Sequence, residues 1–179
     1  MKKILLDLSF KSVCLSFTKI FTFVLIYFCS FSNLYPQGTY CTPSYTNNCS
    51  WGDDLNSVVL IGENGTSITD LDTGCNGSFY DQTALPPVDL LPSLQYDLDL
   101  NTNYGPNSEY SNVWIDFNND GVFDASENMF VGLPLNSQPN FTTGVLDIPA
   151  NATPGIRRMR IRIVWGSSTS NDPCVNYSY

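Results

Sequence analysis

The 179-residue chain contains no histidine. That absence removes Ser-His-Asp and Cys-His catalysis, HExxH zinc chemistry and imidazole ligation of any metal. Charge is scarce, at 14% of residues, and lopsided, with 8 Lys+Arg against 17 Asp+Glu. Lysine does not occur after Lys19, and every arginine lies between Arg157 and Arg162. So acidic a surface repels phosphate backbones and anionic lipid head groups, which excludes nucleic acid and peripheral membranes as partners and makes divalent cations the natural counter-ions. No CxxC pair occurs, so zinc would need a bare four-thiolate site. Carboxylates are plentiful, yet no pair stands apart in the manner of a glycosidase acid and base, and the chain is read as non-catalytic.

The few cations that exist carry a message by their position. Lys2, Lys3, Lys11 and Lys19 precede the apolar run Ile20 to Phe31, which is shorter than the roughly 20 residues a spanning helix needs. Small residues stand at its end, Ser30 and Ser32. This is the layout of a secretory signal over residues 1–36, cut between Ser32 and Gln37, with an uncleaved N-terminal anchor as the alternative. The exported chain is then expected to be secreted or displayed at the cell surface, with no stable membrane insertion. It keeps Cys41, Cys49, Cys75 and Cys174, which in an oxidising space form two disulfides in any of three pairings.

From about Gly38 onward helical periodicity is absent, and short alternating runs are broken every ten or so residues by Gly, Pro, Asn and Asp. The alternation predicts strands at Ser57–Gly62, Ser78–Thr83, Ser93–Leu100, Tyr110–Phe117, Asn128–Val131, Gly144–Ile148 and Ile156–Trp165. About seven strands with one wet face each pack as an all-β, two-sheet antiparallel sandwich over residues 37–179. Along the last of them Met159, Ile161 and Ile163 share one face and Arg158, Arg160 and Arg162 the other. The arginine face is expected to be a solvent-facing ladder paired with carboxylates such as Asp97 and Asp99, or else a basic stripe for an acidic ligand.

The segment Asp116 to Glu127, DFNNDGVFDASE, satisfies D-x-[DN]-x-[DN]-G-x5-E at every defined position. A cation of calcium's size wants six to eight oxygens, which a curling loop presents on alternate side chains. Asp116, Asn118 and Asp120 supply the first of these. Gly121 permits the sharp turn, the backbone carbonyl of Val122 follows, Asp124 binds directly or through water, and Glu127 closes the shell. The flanking Val113-Trp114-Ile115 is strand-forming, so the expectation is a structural Ca2+ loop between strands rather than between helices. The competing view is a plain turn rich in turn formers.

The stretch VWIDFNNDGVFDASE, followed by Leu146-Asp147-Ile148-Pro149 and Pro154-Gly155-Ile156-Arg157-Arg158-Met159-Arg160, resembles the GEVED domain of secreted bacterial proteins. Tyr40-Cys41, Tyr80-Asp81-Gln82-Thr83, Cys174 and Tyr177 fit the same pattern. The resemblance implies a β-sandwich accessory module, sometimes attached to proteases or other hydrolases. It also implies a last strand carrying a Gly-Glu-x-Glu-Asp-Tyr block beyond Tyr179, so the domain is expected to be truncated here. The expected function is an adhesive or accessory module of a larger exported or cell-surface protein. Two alternatives stand beside it: the accessory domain of an exported hydrolase or metalloprotease, and a glycan-binding module using Trp51, Tyr104, Tyr110, Tyr177 or Tyr179.

Overall fold

In Gln95–Thr102 the residues Tyr96, Leu98 and Leu100 are buried while Gln95 and Asp97 face water, the two-residue period of a half-buried strand. The computed structural model of the protein describes residues 3–10 and 38–177, apart from 48, 50, 51, 53, 107 and 167–170. Ten strands form among them: β1 (Lys3–Phe10), β2 (Leu55–Ile61), β3 (Ser67–Asp70), β4 (Tyr80–Asp81), β5 (Val88–Leu90), β6 (Gln95–Thr102), β7 (Glu109–Ile115), β8 (Asn128–Pro134), β9 (Thr142–Asp147) and β10 (Gly155–Trp165). One sheet runs β4-β1-β10-β7-β8 with β5 also on β1, and the other runs β3-β2-β6-β9.

The sheets face each other across one core of alternating inward side chains. Val58 and Leu60 come from β2, Leu98 and Leu100 from β6, Val113 and Ile115 from β7, and Met159, Ile161 and Ile163 from β10, all fully buried. The expected sandwich is what forms. Three of its strands escape the alternation rule: β3 and β5 are too short to show a period, and β5 is buried at all three positions. The third, β1, lies in the segment that the lysine pattern assigns to the leader. It pairs antiparallel with β10 and parallel with β4 and β5, and Leu8 enters the core with no exposed surface. The apolar run and the expected cleavage point lie outside the described residues. Among the described residues no helix is long and apolar enough to cross a membrane.

The arginine face of β10 corrects its expectation. Arg160 and Arg162 are fully buried, and Asp97 and Asp99 belong to β6 in the opposite sheet, where Asp99 accepts a bond from Thr143. Two segments distant in the chain, 38–47 and 171–177, cover this face. Arg160 donates to the carbonyls of Cys41 (2.6 Å) and Pro173 (2.8 Å). Arg162 donates to the carbonyls of Asp172 and Val175 and to the Tyr45 hydroxyl. Backbone oxygens thus replace water around both guanidinium groups, as burial of such a cation requires. Each also lies on a ring face, Arg160 over Phe123 at 4.5 Å and Arg162 over Tyr177 at 4.4 Å. Burial, with the Arg162 charge beside it, pulls Arg160 down to about 9, and it remains a cation at neutral pH.

The cover is stapled by disulfides. Cys41 joins Cys174 and Cys49 joins Cys75, with Cα separations of 5.7 and 5.5 Å. One of the three sequence-compatible pairings is thereby selected. The first bridge ties both cover segments together directly above Arg160.

Candidate calcium loop and its supports

β7 delivers Asp116 to the end of its strand, where the residue is fully buried and its own N–H donates to the Arg158 carbonyl at 3.0 Å. The chain then turns sharply through Asn119 and Gly121, which have φ of 60° and 84°. Gly121 is demanded twice over. A Cβ there would stand 2.4 Å from the Gly38 Cα, and the left-handed backbone resists any side chain. Gly38 in turn donates its N–H to the Asp120 carbonyl at 3.2 Å, so the N-terminal cover segment lies against the loop tip.

The Asp116 carboxylate sits at the centre of this turn. Its Oδ1 accepts the N–H groups of Asn119 and Asp120, and its Oδ2 accepts the N–H of Gly121 at 3.0 Å and the Tyr40 hydroxyl. Glu127 does the same from the far end. Its Oε1 accepts the N–H groups of Phe117 (2.9 Å) and Asn118 (3.3 Å), and its Oε2 that of Asp124 (3.1 Å). Glu127 is 4% exposed, and burial, with the nearby Asp116 charge as a smaller contribution, pushes its carboxyl above the ordinary range against the opposing pull of its amide partners.

The remaining predicted ligands take outer positions. Asn118 and Asp120 are exposed and bonded to each other, with Asn118 Nδ2 donating to Asp120 Oδ2 at 2.9 Å. Asp120 Oδ1 also accepts the Val122 N–H at 2.8 Å. Val122 has a half-exposed side chain, and Asp124 is exposed at the start of the short 3-10 turn Ala125–Glu127. The structure therefore brings Asp116 and Glu127 into the interior of the loop and leaves Asn118, Asp120 and Asp124 on its rim. Among the described residues no three Asp, Glu or Cys side chains converge as a metal-holding group. In this conformer the two buried carboxylates are satisfied by backbone amides. By type, the donors are hard oxygens only, which is the set that suits calcium.

Phe123 anchors the loop, packing with Trp114, Tyr40 and Phe79 in a small second core on the covered face. Several supports lie far away in the chain and carry no local signal: Tyr40, Gly38, and Arg157, whose Nε donates to the Phe117 carbonyl at 3.0 Å while Thr153 donates to the same oxygen. Of the aromatics considered for sugar stacking, Trp51 and Tyr179 lie outside the described residues. Tyr177 is committed to Arg162 and Tyr45, and Tyr104 is exposed.

Neither a curated protein nor a solved structure matches the chain. A family model does match, over a narrower stretch than the motif resemblance suggests, and Tyr40-Cys41 and Tyr80–Thr83 fall outside it even though Tyr40 and Cys41 are bonded to residues within. Residues 110–179, which hold the loop, β8 to β10 and the Cys174 staple, match the family model of the GEVED domain.

Proposed function

We propose that the protein is an exported, non-catalytic β-sandwich module whose Asp116–Glu127 loop binds Ca2+ in a structural role, serving as the adhesive or accessory part of a larger surface or secreted assembly. The observation that supports it most directly is the loop itself. Two buried carboxylates, Asp116 and Glu127, close a twelve-residue turn that leaves the oxygen-bearing side chains of Asn118, Asp120 and Asp124 exposed. The ion would be held by Asp116, Asn118, Asp120, the Val122 carbonyl, Asp124 and Glu127. It would supply the positive charge that two like charges inside one loop lack, which amide dipoles replace only in part. Two disulfides are compatible with an oxidising, extracellular setting.

One observation favours a different account of the same loop. Every oxygen of Asp116 and Glu127 already accepts an N–H or O–H group, so the turn closes without an ion. The two accounts part on thermal unfolding with and without a chelator. Calcium at a hundredfold excess over its Kd adds about 2.7 kcal/mol, worth roughly 2–4 °C of melting temperature per kcal/mol in a chain of this size. The response should vanish in Asp116→Asn with Glu127→Gln. Superimposable curves in calcium and chelator would leave the metal-free turn as the correct description.

A further inference from the structure

Each disulfide has one exposed end and one sheltered end. In Cys49–Cys75 the exposed residue is Cys75, while Cys49 is 3% exposed; in Cys41–Cys174 the exposed residue is Cys174, while Cys41 is half-buried. An external thiolate therefore meets Cys75 in one bridge and Cys174 in the other. What separates the two bridges is the group beside the sheltered sulfur, which must carry the negative charge when the bond opens.

Beside Cys49 that group is a carbonyl, with the Gly77 oxygen 3.8 Å from its Sγ. A carbonyl oxygen only accepts, so it offers nothing to a developing thiolate. Beside Cys41 it is a cation: Arg160 Nη1 donates to the Cys41 Sγ at 2.8 Å and stands 3.8 Å from the Cys174 Sγ. The Pro173 oxygen, 3.9 Å from the Cys41 sulfur, is itself bonded to Arg160. With the Cys41 carbonyl as a further acceptor, the guanidinium is fixed in place before any reaction. Its contacts among the described residues carry no negative charge, being carbonyl oxygens, sulfurs and the Phe123 ring, and the neighbouring cation Arg162 acts against it. A thiolate at Cys41 would supply the counter-charge that this buried cation lacks.

We propose that Cys41–Cys174 is a thiol-exchange site, at which an external thiol becomes attached to Cys174 while Cys41 leaves as a thiolate paired with Arg160. The attacking thiol, its proton already given to water, forms a bond to the Cys174 sulfur. The Cys41–Cys174 bond breaks and its electron pair goes to the Cys41 sulfur, so the step balances with no further oxidant or reductant. Exchange is faster when the leaving thiolate is stabilised, and an adjacent cation stabilises it. The same arginine makes the step reversible. It still holds the carbonyls of Cys41 and Pro173, so both cover segments stay seated and the Cys41 thiolate remains near Cys174, able to expel the added thiol. Arg160 sets the rate and direction of opening, whereas the equilibrium stability that the bridge confers follows from the span it closes.

The oxidised full-length chain is exposed to reduced glutathione, released thiols are capped with an alkylating reagent at successive times, and the digest is read by mass spectrometry. The expected map has glutathione on Cys174, the cap on Cys41 and Cys49–Cys75 intact, with the first bridge opening about tenfold faster or more. A second arm offers a folded carrier protein with a single surface cysteine: a cross-link at Cys174 extends the site to protein thiols, and glutathione uptake alone confines it to small ones. Arg160→Gln should cancel the difference in rate between the bridges, and Arg160→Lys should preserve most of it. Should the Gln variant fail to fold, the wild-type map decides alone. Glutathione on Cys41, equally fast opening of Cys49–Cys75, or no adduct while an unstructured disulfide peptide in the same mixture is reduced would each overturn the site. Opening of both bridges together with loss of the near-UV signal would overturn it too, because the reactivity would then belong to the unfolded chain.

Discussion

Tyr40 donates its phenolic proton to Oδ2 of Asp116 across 76 residues of chain, joining the N-terminal cover segment to the most buried acid of the candidate calcium loop. The bond sets one side of the loop. It also places the Tyr40 ring against Phe123, with centroids 5.1 Å apart, so a single side chain braces the turn and its apolar anchor. Tyr40→Phe keeps the ring and removes the donor. A hydrogen bond to a charged group is worth about 1.5–3 kcal/mol, so the variant should melt several degrees lower, with an unchanged near-UV signal from the Trp114–Phe123 cluster. An unaltered melting temperature would mean that the carboxylate is adequately held by its three amide donors.

Arg162 should not tolerate lysine. Its guanidinium reaches the Asp172 and Val175 carbonyls and the Tyr45 hydroxyl at once and stacks on Tyr177, a planar fork that a point charge cannot reproduce. Arg162→Lys takes the donor from the buried Tyr45 hydroxyl and from two part-buried carbonyl oxygens, at about 1–3 kcal/mol in all. Chemical denaturation should show the loss as a lower midpoint with an unchanged slope. A midpoint equal to wild type would mean that water enters the cover and replaces the guanidinium.

The two disulfides should differ in worth. Cys41–Cys174 closes a span of 133 residues and Cys49–Cys75 one of 26. In the chain-entropy account the longer loop contributes roughly 1.5 kcal/mol more, from the logarithm of the ratio of loop lengths. The longer bridge also fastens both segments over Arg160. Paired Cys→Ser variants compared by denaturant unfolding test the order, and a larger loss for Cys49–Cys75 would contradict it.

Tyr96 sets an alkaline limit. Its hydroxyl accepts the Leu91 N–H and donates to Glu63 Oε1, each at 2.9 Å. Burial, followed by the Glu63 contact and charge, raises its ionisation above the ordinary value despite the lowering effect of the Leu91 N–H. A raised acid favours the folded state while it is protonated. The contribution is complete below the unfolded value of about 10 and is lost as pH climbs through the folded value. Stability measured across this range should fall more steeply in wild type than in Tyr96→Phe. Parallel profiles would exclude Tyr96 as the responsible group.

The strands that could be read from residues alone are those whose period is long enough to be unmistakable. β6 alternates between exposed and buried positions from Gln95 to Leu98, and β7 and β10 place apolar residues at every second position, Val113 and Ile115 in one and Met159, Ile161 and Ile163 in the other, a two-residue period that reads as strand. β5 could not be read, because Val88–Leu90 is buried throughout and flanked by Pro87 and Pro92, leaving no alternation to detect. β1 was hidden by the lysines around it, which are equally good evidence for a leader. In the loop, the turn at Asn118–Gly121 and the importance of Asp116 and Glu127 were legible from spacing, since the spacing is itself the turn chemistry.

What the amino-acid order determined unaided was therefore local: the pleat of each long strand, the sharp acidic bend after β7, and the supply of four cysteines to the described domain. Tertiary structure decided which cysteines meet, that Arg160 and Arg162 are sealed from water, and that Tyr40 and Gly38 hold the bend. The physical reason is distance along the chain. A periodic pattern acts between neighbours and is visible in any short window. The carbonyls that solvate Arg160 come from positions 41 and 173, and only the closing of the sandwich brings them to the same guanidinium.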